Sequence, residues 1–379
     1  MAEAVRIVIA GGGTGGHLFP GIALAEGLLG KLPGAQVLFV GADRPVDRAA
    51  LQGLGFGQEF IPVRAFKGRG LLGRLAAALA LPGALLASLG LLRRFRPQLV
   101  FGVGGYVAGP VLLAAWILRI PRALHEQNAI PGLANRLAGR LVQRIFLSLP
   151  VEHRYFPAER SVLTGNPVRQ GILAAARRGR RGGPEHEPVI LVLGGSQGAH
   201  QLNRLLPEAA SRLRQRLGRD FSLVHQTGSR DQAEVAASYQ RLGLRAEVKD
   251  FFRDMAQVYG SATLAVSRAG ATTLTELAVM GLPALLVPYP YAADNHQEKN
   301  ADTYVAGGGA LMEREAELDV TKLSDRLLYL LQEPARLPMM SQAMLALARP
   351  DATEALVSEC LALMGHERPR VAPALTSGN

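Results

Sequence analysis

A glycine run that ends in a histidine, AGGGTGGHLFPG at residues 10–21, is the first stretch whose residue types could do chemistry. Five of its first seven residues are glycine. Because glycine has no Cβ, this loop can turn tightly and approach a ligand closely. A helix that begins near His17 would direct its N–H groups and positive dipole end at that ligand, which favours a phosphate.

The histidine that closes this run is a candidate general base. At a helix N-terminus the cationic form of His17 is disfavoured, so its neutral imidazole could accept a proton. The alternative is that His17 only holds the loop or forms a hydrogen bond to a phosphate. The sequence leaves both roles open.

The same loop satisfies the G-x-G-x-x-G pattern of dinucleotide-binding enzymes through Gly11, Gly13 and Gly16. In such enzymes an acidic residue lies about 20 residues beyond the glycines. Here Asp43, at the end of the next predicted strand, follows Gly16 by 27 residues. This spacing argues against a nicotinamide-dependent dehydrogenase, which we keep as an alternative.

The second half of the chain repeats the arrangement of the first. VRIVIAGGGTGGH at residues 5–17 and PVILVLGGSQGAH at residues 188–200 each run from an apolar strand into a glycine turn and a predicted helix. Continuous apolar strands are typical of parallel sheets covered on both faces. The alternation predicts an α/β protein with two doubly wound, Rossmann-like domains that face each other across a cleft.

The boundary between the two domains is expected between the two repeats. LTGNPVRQGI at residues 163–172 is the predicted crossing, and the arginine-rich residues 175–188 form a predicted exposed connector. We therefore expect an N-terminal domain over residues 1–167, a C-terminal domain over residues 168–349 and a tail over residues 366–379.

Charge and cysteine content narrow the classes of partner and compartment. The formal net charge of +11, carried mostly by arginine, predicts acidic partners. The sequence has no recognisable nucleic-acid-binding motif, so lipid head groups and diphosphates are favoured over nucleic acid. Cys360 is the only cysteine, and the N-terminus lacks the pattern of a secretory signal. Both observations favour the cytoplasm.

Two uncharged segments approach the length of a membrane-spanning helix, at residues 75–92 and 99–118. The second carries glycines and a proline in its middle, which favours a buried strand followed by a glycine loop and a helix. The first is broken by Pro82 and flanked by arginines, which predicts that residues 66–96 lie on a membrane surface.

Several separated motifs together resemble the MurG family, the N-acetylglucosaminyltransferases of peptidoglycan synthesis. The resemblance runs from about residue 5 to about residue 360 and rests on GGTGGHLFPG, GVGGYVAGP, HEQNAIPGLAN, GNPVR, GGSQGA, SRAGATTLTELAVMGLPALLVPYP and DNHQEKNA. It implies a glycosyltransferase fold of the B type, with a C-terminal helix at about residues 350–365 that packs back on the first domain.

The resemblance also implies an activity. A hexosyltransferase of this family moves GlcNAc from UDP-GlcNAc, with inversion, to the 4-hydroxyl of MurNAc in lipid I, giving lipid II and UDP. It works at the cytoplasmic face of the cell membrane as a peripheral protein, against anionic lipids, and cell-wall assembly proteins are further expected partners. The sequence has no D-x-D motif, so the resemblance implies neither a metal site nor a cofactor.

The family motifs assign roles to individual residues. In HEQN, His125 and Glu126 could compete with His17 for the role of base by their residue types, although a structural role is favoured for His125. Asn128 matches the family's sugar-contacting asparagine. Arg169 matches a donor-binding arginine that could neutralise charge on the leaving UDP. The further substrate-binding candidates are Thr14, Gly15, Gly16, Ser196, Phe252, Ala271, Thr272, Thr273, Leu274, Thr275, Glu276 and Gln297.

Several of these donor-binding candidates have a structural alternative. Thr272 and Thr273 could cap a helix that meets the phosphates, and Glu276 could accept hydrogen bonds from ribose hydroxyls, but Thr273 and Glu276 also have the spacing of a capping box. Phe252 could lie against uracil or pack in the core. Gln297 offers an amide donor and acceptor to the sugar hydroxyls.

Other function classes remain in view at this stage. A UDP-GlcNAc 2-epimerase would share the architecture and the donor without a lipid acceptor, but GGTGGH and HEQN together favour the transferase. A dehydrogenase and a non-catalytic lipid-binding protein leave the donor motifs around Arg169, Ser196, Glu276 and Gln297 unexplained.

Overall fold

The computed structural model describes residues 4–12, 15–43, 48, 51–63, 71–180, 187–195 and 198–366, and the side chains of these residues except 15–17 and 71–79. The chain divides into two compact units. The first unit comprises Met1–Val168 together with Asp351–Asn379, and the second comprises Arg169–Pro350.

The first unit is built on a seven-stranded parallel sheet in the order β3-β2-β1-β4-β5-β6-β7. Ile7 of the central strand pairs with Val37 on one side and Leu99 on the other, and all three side chains are buried. The strands are β1 (Arg6–Gly11), β2 (Gln36–Gly41), β3 (Gly57–Phe60), β4 (Leu99–Gly104), β5 (Arg122–Glu126), β6 (Arg144–Leu147) and β7 (Ser161–Leu163).

Among the described residues, four helices follow strands of this sheet: α1 (Gly15–Lys31), α2 (Leu71–Phe95), α3 (Gly105–Ile117) and α4 (Leu133–Ala138). A short 3-10 turn lies at Ala158–Arg160. The segment at residues 99–118 divides into β4 and α3, as its glycines predicted. Among the helices of the described residues, none is long and apolar enough to cross a membrane.

Pro82 does not end the helix in the way the sequence suggested. Helix α2 continues through this residue from Leu71 to Phe95. Beyond the proline, Ala84, Leu91 and Leu92 are buried, and α2 packs against α3. This apolar burial outweighs the backbone hydrogen bond that proline cannot donate.

The second unit has a six-stranded parallel sheet in the order β10-β9-β8-β11-β12-β13. Leu191 of its central strand pairs with Val224 and Ala265 of the two neighbours. The strands are β8 (Val189–Leu193), β9 (Ser222–Gln226), β10 (Ala246–Lys249), β11 (Leu264–Ser267), β12 (Ala284–Leu286) and β13 (Ala310–Met312).

In the described part of this unit there are eight helices: α5 (Gln170–Arg178), α6 (His200–Leu217), α7 (Gln232–Arg241), α8 (Met255–Ser261), α9 (Ala271–Val279), α10 (His296–Ala306), α11 (Val320–Gln332) and α12 (Arg336–Leu347). Two 3-10 turns lie at Ala293–Asn295 and Glu315–Glu317.

The strand order reverses direction at the centre of each sheet, at β1 and β4 in one unit and at β8 and β11 in the other. Such switch points leave a crevice at the carboxyl ends of the strands, where α/β proteins bind their ligands. The two glycine loops follow β1 and β8 and therefore lie at these edges. The doubly wound α/β fold predicted from the sequence is confirmed for both units.

The last helix, α13 (Ala352–Leu363), returns to the first unit and packs against α1. Leu24 and Leu28 of α1 share one buried cluster with Leu356 and Val357 of α13. A Cβ at Gly27 would lie 2.8 Å from Val357 Cγ2 and 3.0 Å from Thr353 Cγ2. The absence of a side chain at Gly27 therefore lets the two helices approach.

Two alanine substitutions on α1 test this close approach. Gly27→Ala should destabilise the first unit because the new methyl group displaces Val357, by roughly 1–3 kcal/mol. Gly30→Ala is the matched control, since a Cβ there meets nothing within 4 Å. It should stabilise the helix by up to about 1 kcal/mol. Urea unfolding of both variants checks the expected opposite signs, and equal effects would contradict the packing argument.

Candidate active site

The second unit carries a helix N-terminus at the carboxyl end of β11. Helix α9 begins at Ala271, and its N-cap is Gly270 with no side-chain cap. The extended backbone of Gly270 starts the helix, with Leu274 N–H donating to the Gly270 carbonyl at 3.0 Å. Thr272 and Thr273 lie inside the first turn, so the prediction that they cap this helix is wrong.

Glu276, one turn further along α9, forms a buried ion pair. Its Oε1 accepts from Arg169 Nε at 3.1 Å and from Arg169 Nη2 at 2.9 Å. Its Oε2 accepts from the Tyr259 hydroxyl at 2.9 Å. The carboxylate therefore bonds to these two side chains, and no capping box with Thr273 is formed among the hydrogen bonds of the described residues.

Opposing effects act on the ionisation of this carboxyl group. Burial raises the pKa of Glu276 above its usual value, and the charge and hydrogen bonds of Arg169 with the hydrogen bond of Tyr259 offset this rise in part. Burial also raises the pKa of Tyr259, so its phenol stays protonated and donates. The result is a carboxylate acceptor held in fixed orientation inside the unit.

The remaining residues of the α9 first turn are mostly buried. Ala271 and Leu274 are apolar and contribute to packing, and the Thr275 hydroxyl donates to the Ala271 carbonyl at 2.9 Å. Thr272 and Thr273 are half-buried. The backbone N–H groups of this turn, with the two half-buried threonines, form the polar part of the helix N-terminus that can face a phosphate.

Gln297, in the first turn of α10, connects two loops of the second unit. Its Oε1 accepts from the backbone N–H of Ala269 at 3.2 Å and of Tyr289 at 2.9 Å. Arg268 reinforces the same loops by donating to the Pro288 carbonyl at 3.2 Å. Since the amide oxygen is bonded to backbone, the amide nitrogen of Gln297 is the atom left to donate to a sugar.

Phe252 is a core residue with only 5% of its surface exposed. Its N–H donates to Gln226 Oε1 at 3.0 Å, and Lys249 Nζ lies 5.1 Å from its ring centroid. The neighbouring Phe251 is 47% exposed. The position therefore supports the packing alternative for Phe252 and identifies Phe251 as the accessible ring.

The second glycine loop follows β8 and packs against the loop after β9. Gly198 has φ of +78°, and a Cβ there would lie 1.9 Å from the Thr227 carbonyl oxygen. Only glycine fits this close approach. Ser196, the diphosphate candidate of this loop, lies outside the described residues.

A buried polar network fixes the same loop from below. Asn203 Nδ2 donates to the Thr227 carbonyl at 2.9 Å and to Asp231 Oδ2 at 2.8 Å. His200 Nδ1 lies 3.0 Å from the same carboxylate oxygen. Burial would raise the pKa of Asp231, but the hydrogen bonds from Asn203 and His200 outweigh it and hold that pKa below its usual value.

His225 completes this network as a neutral imidazole. Its Nε2 lies 3.0 Å from Asn203 Oδ1, which can only accept, so Nε2 donates and Nδ1 accepts from the Tyr239 hydroxyl at 2.9 Å. Burial lowers the pKa of His225 to about 3. Sequence reasoning missed this network, although an asparagine in the first turn after a glycine loop was a usable signal.

In the first unit, the opening glycine loop leads into α1 at Gly15, so Gly15 and Gly16 lie in the first turn of that helix. Thr14 lies outside the described residues, as does the side chain of His17. Gly105 has φ of +78°, and a Cβ there would lie 2.6 Å from the Gly12 carbonyl oxygen. The two glycine segments after β1 and β4 are thus in direct contact.

Glu126, at the end of β5, holds the loop that follows it. The backbone N–H of Asn128 donates to Oε1 at 2.9 Å, and Asn128 Nδ2 donates to the same oxygen at 3.2 Å. Asn135 Nδ2 donates to Oε2 at 2.7 Å. Burial raises the pKa of Glu126, and these donors together with the Gly132 N–H lower it. This geometry favours positioning of Asn128 over proton transfer.

His125 is fully buried among internal partners. Its Nε2 lies 3.0 Å from Ser148 Oγ and its Nδ1 lies 3.2 Å from Gln127 Nε2. These contacts agree with the structural role preferred for His125 from sequence. Among the described side chains, no three His, Cys, Asp or Glu residues come together as a metal site.

The family model for the glycosyltransferase family 28 N-terminal domain matches residues 7–147, and the model for its C-terminal domain matches residues 189–356. The chain belongs to glycosyltransferase family 28. This membership confirms the family resemblance drawn from the separated motifs.

Two curated relatives carry the name UDP-N-acetylglucosamine--N-acetylmuramyl-(pentapeptide) pyrophosphoryl-undecaprenol N-acetylglucosamine transferase. The protein from Desulfotalea psychrophila is 46% identical over 362 residues, covering 96% of this chain and 98% of the relative. The protein from Anaeromyxobacter sp. strain Fw109-5 is 43% identical over 377 residues, covering 97% and 98%.

Among solved structures, Acinetobacter baumannii MurG superposes with a TM-score of 0.76 at 31% identity, covering 94% of this chain and 99% of that one. A UDP-N-acetylglucosamine 2-epimerase superposes with a TM-score of 0.68 at 16% identity, covering 97% and 99%. The second likeness shows a shared fold alone.

Gly198 should be intolerant of a side chain. Gly198→Ala places a methyl group against the Thr227 carbonyl, and we expect a destabilisation of more than about 3 kcal/mol. Gly218→Ala is the matched control, because Gly218 has φ of +71° but nothing within 4 Å of its Cβ. It should cost only about 1–2 kcal/mol. Urea unfolding separates the two variants; a tolerated alanine at position 198 would contradict the packing.

The neutral, buried His225 should make the protein acid-sensitive. Its pKa is about 3 in the fold against 6.5 when unfolded, so the unfolded state binds a proton first and stability falls below pH 6.5. The expected loss is about 1.4 kcal/mol per pH unit, or about 2 kcal/mol at pH 5. Urea unfolding of wild type and His225→Gln checks this; the difference between them should shrink on acidification, and a constant difference would refute it.

Proposed function

We propose that this chain transfers N-acetylglucosamine from UDP-N-acetylglucosamine to the 4-hydroxyl of N-acetylmuramic acid in lipid I, releasing lipid II and UDP. The observation that carries the proposal is the near-full-length identity of 46% and 43% with transferases of that name. The polar groups at the carboxyl ends of both parallel sheets support it.

The second unit is proposed to bind the donor. Glu276 supplies a carboxylate acceptor for ribose hydroxyls, and the first turn of α9 faces the diphosphate with Ser196. Arg169 is held in place by Glu276, since its Nη2 donates to Glu276 Oε1 at 2.9 Å. The positive charge of Arg169 therefore lies next to that carboxylate. The amide nitrogen of Gln297 donates to the sugar.

The first unit is proposed to bind the acceptor. Asn128, held by Glu126, contacts the sugar, and Thr14, Gly15 and Gly16 are assigned to binding of the acceptor diphosphate. His17 accepts the proton of the acceptor hydroxyl as this oxygen attacks the anomeric carbon. The bond to UDP breaks on the opposite face of the sugar, so configuration inverts and negative charge develops on UDP.

UDP release with and without a lipid I analogue tests the proposed function. Purified protein should release UDP from UDP-N-acetylglucosamine only when the acceptor analogue is present. Release that is independent of acceptor, together with formation of N-acetylmannosamine, would support the 2-epimerase instead. Coupled detection of UDP and chromatography of the free sugar distinguish these outcomes.

Removal of the proposed base should abolish turnover without weakening donor binding. His17→Ala is expected to lower kcat by roughly 10²- to 10⁴-fold, the range for loss of a general base. Its UDP affinity should not change. His153→Ala is the matched control, because His153 is an exposed histidine of the same unit. Turnover of His17→Ala near the wild-type rate would refute the assignment.

Peripheral association with the cytoplasmic face of the membrane belongs to the same proposal. On α2, which is part of the segment 66–96, Leu86 is 69% exposed, and on the adjoining α3 Trp116 is 51% exposed. Trp116 borders a groove of about 590 Å³ that is lined by several arginines, namely Arg122, Arg140, Arg144 and Arg160. The exposed ring of Trp116 beside these arginines, together with the exposed Leu86 on α2, favours an anionic lipid surface.

Vesicle binding tests the membrane surface. Leu86→Ser should weaken binding to vesicles of phosphatidylglycerol and phosphatidylethanolamine by about tenfold, equivalent to about 1.4 kcal/mol. Met339→Ser is the control, because Met339 is 71% exposed in the second unit. Binding should also fall as salt shortens the Debye length from about 10 Å at 0.1 M to about 3 Å at 1 M. An equal loss of vesicle binding in both variants, measured by flotation, would contradict the assignment of this membrane-binding surface.

A further inference from the structure

The Tyr259 phenol is a buried polar group that contacts Glu276, a residue of the proposed donor site. Tyr259 lies on α8 with 1% of its surface exposed, and its hydroxyl donates to Glu276 Oε2 at 2.9 Å. A phenylalanine would fill the same space without the cost of burying a hydroxyl. The buried hydroxyl therefore indicates a function for its hydrogen bond to the Glu276 carboxylate.

The two oxygens of the carboxylate are not equivalent. Oε1 accepts both hydrogen bonds from Arg169, and these two bonds occupy both acceptor directions of that oxygen. Oε2 accepts one bond, from Tyr259. A ribose hydroxyl that donates to Glu276 would thus meet Oε2, whose second acceptor direction is set by the phenol.

We infer that Tyr259 is a positioning residue that aims Oε2 of Glu276 at the ribose hydroxyls of the uridine donor. The inference rests on the proposed function, since it takes Glu276 as the ribose acceptor. A charge-assisted hydrogen bond holds its partner in a narrower orientation than a neutral one. Tyr259 thereby contributes to selection of a ribonucleotide without touching it.

The test compares UDP with 2′,3′-dideoxy-UDP, which lacks both ribose hydroxyls. By isothermal titration, wild type should bind UDP more tightly than the dideoxy compound. In Tyr259→Phe the affinity for UDP should fall by about tenfold, the effect of about 1.4 kcal/mol. The affinity for dideoxy-UDP should stay unchanged, so the ratio of the two affinities shrinks. A merely structural role would weaken both ligands alike.

Tyr239→Phe is the matched control. Tyr239 is a phenol of the same unit, 1% exposed, whose hydroxyl bonds to His225 instead of to Glu276. Its removal should leave the UDP to dideoxy-UDP ratio at the wild-type value. A ratio that falls equally in both tyrosine variants would overturn the inference.

A double-mutant cycle with Glu276→Gln assigns the effect to the pair. In the Glu276→Gln background, Tyr259→Phe should leave the ratio unchanged, because the oriented carboxylate is already gone. An equal loss in both backgrounds would overturn the inference. Should Tyr259→Phe fail to fold, 3-fluorotyrosine incorporated at position 259 replaces it. The more acidic phenol should strengthen discrimination against dideoxy-UDP, and an unchanged ratio would contradict the inference.

Failure of this inference is distinguishable from failure of the proposed function. The binding ratio requires no acceptor, whereas UDP release depends on transfer to lipid I. Acceptor-dependent release combined with equal affinity of wild type for UDP and dideoxy-UDP would overturn the role of Tyr259 and leave the transferase intact.

Discussion

A buried carboxylate is the constraint around which the second unit is organised. Ionised Glu276 tolerates its burial because Arg169 and Tyr259 satisfy both of its oxygens. The three residues come from different parts of the chain: Arg169 from the start of the unit, Tyr259 from α8 and Glu276 from α9. The single carboxylate therefore connects three separate parts of the unit, and it keeps an acceptor at the carboxyl edge of the sheet.

Both units bring two backbone segments into close contact near the end of a central strand, and both do so at a glycine. Gly198 lies against the Thr227 carbonyl in one unit, and Gly105 lies against the Gly12 carbonyl in the other. In each unit a buried polar side chain then fixes a neighbouring loop, Asn203 in the second and Glu126 in the first. The repeated sequence pattern thus corresponds to a repeated structural arrangement in the two units.

The sequence predicted the elements that depend on local pattern. Uninterrupted apolar runs predicted the parallel strands, and the paired glycine loops predicted both doubly wound sheets, because strand burial and tight turns are encoded in neighbouring residues. The contact of Arg169 with Glu276 spans 107 positions, and no local pattern encodes a partner at that distance. The motif resemblance named both residues, but not their bond to each other.

Errors arose where tertiary packing overrode a local rule. Thr273 and Glu276 have capping-box spacing, yet Arg169 and Tyr259 take the glutamate and Gly270 starts the helix. The proline at position 82 has the chemistry of a helix breaker, yet α2 continues through it, and the buried residues that follow it pack in the core. Such competition is settled by contacts that only the folded chain provides.

The stereochemistry of the product tests the central claim most directly. Incubation with UDP-N-acetylglucosamine and a lipid I analogue, followed by proton NMR of the product, reports both the linkage and the anomeric configuration. The account predicts a β-linked N-acetylglucosamine on the 4-hydroxyl of the muramic acid, as attack opposite the leaving UDP requires. An α linkage, or recovery of the acceptor unchanged while the donor is consumed, would contradict it.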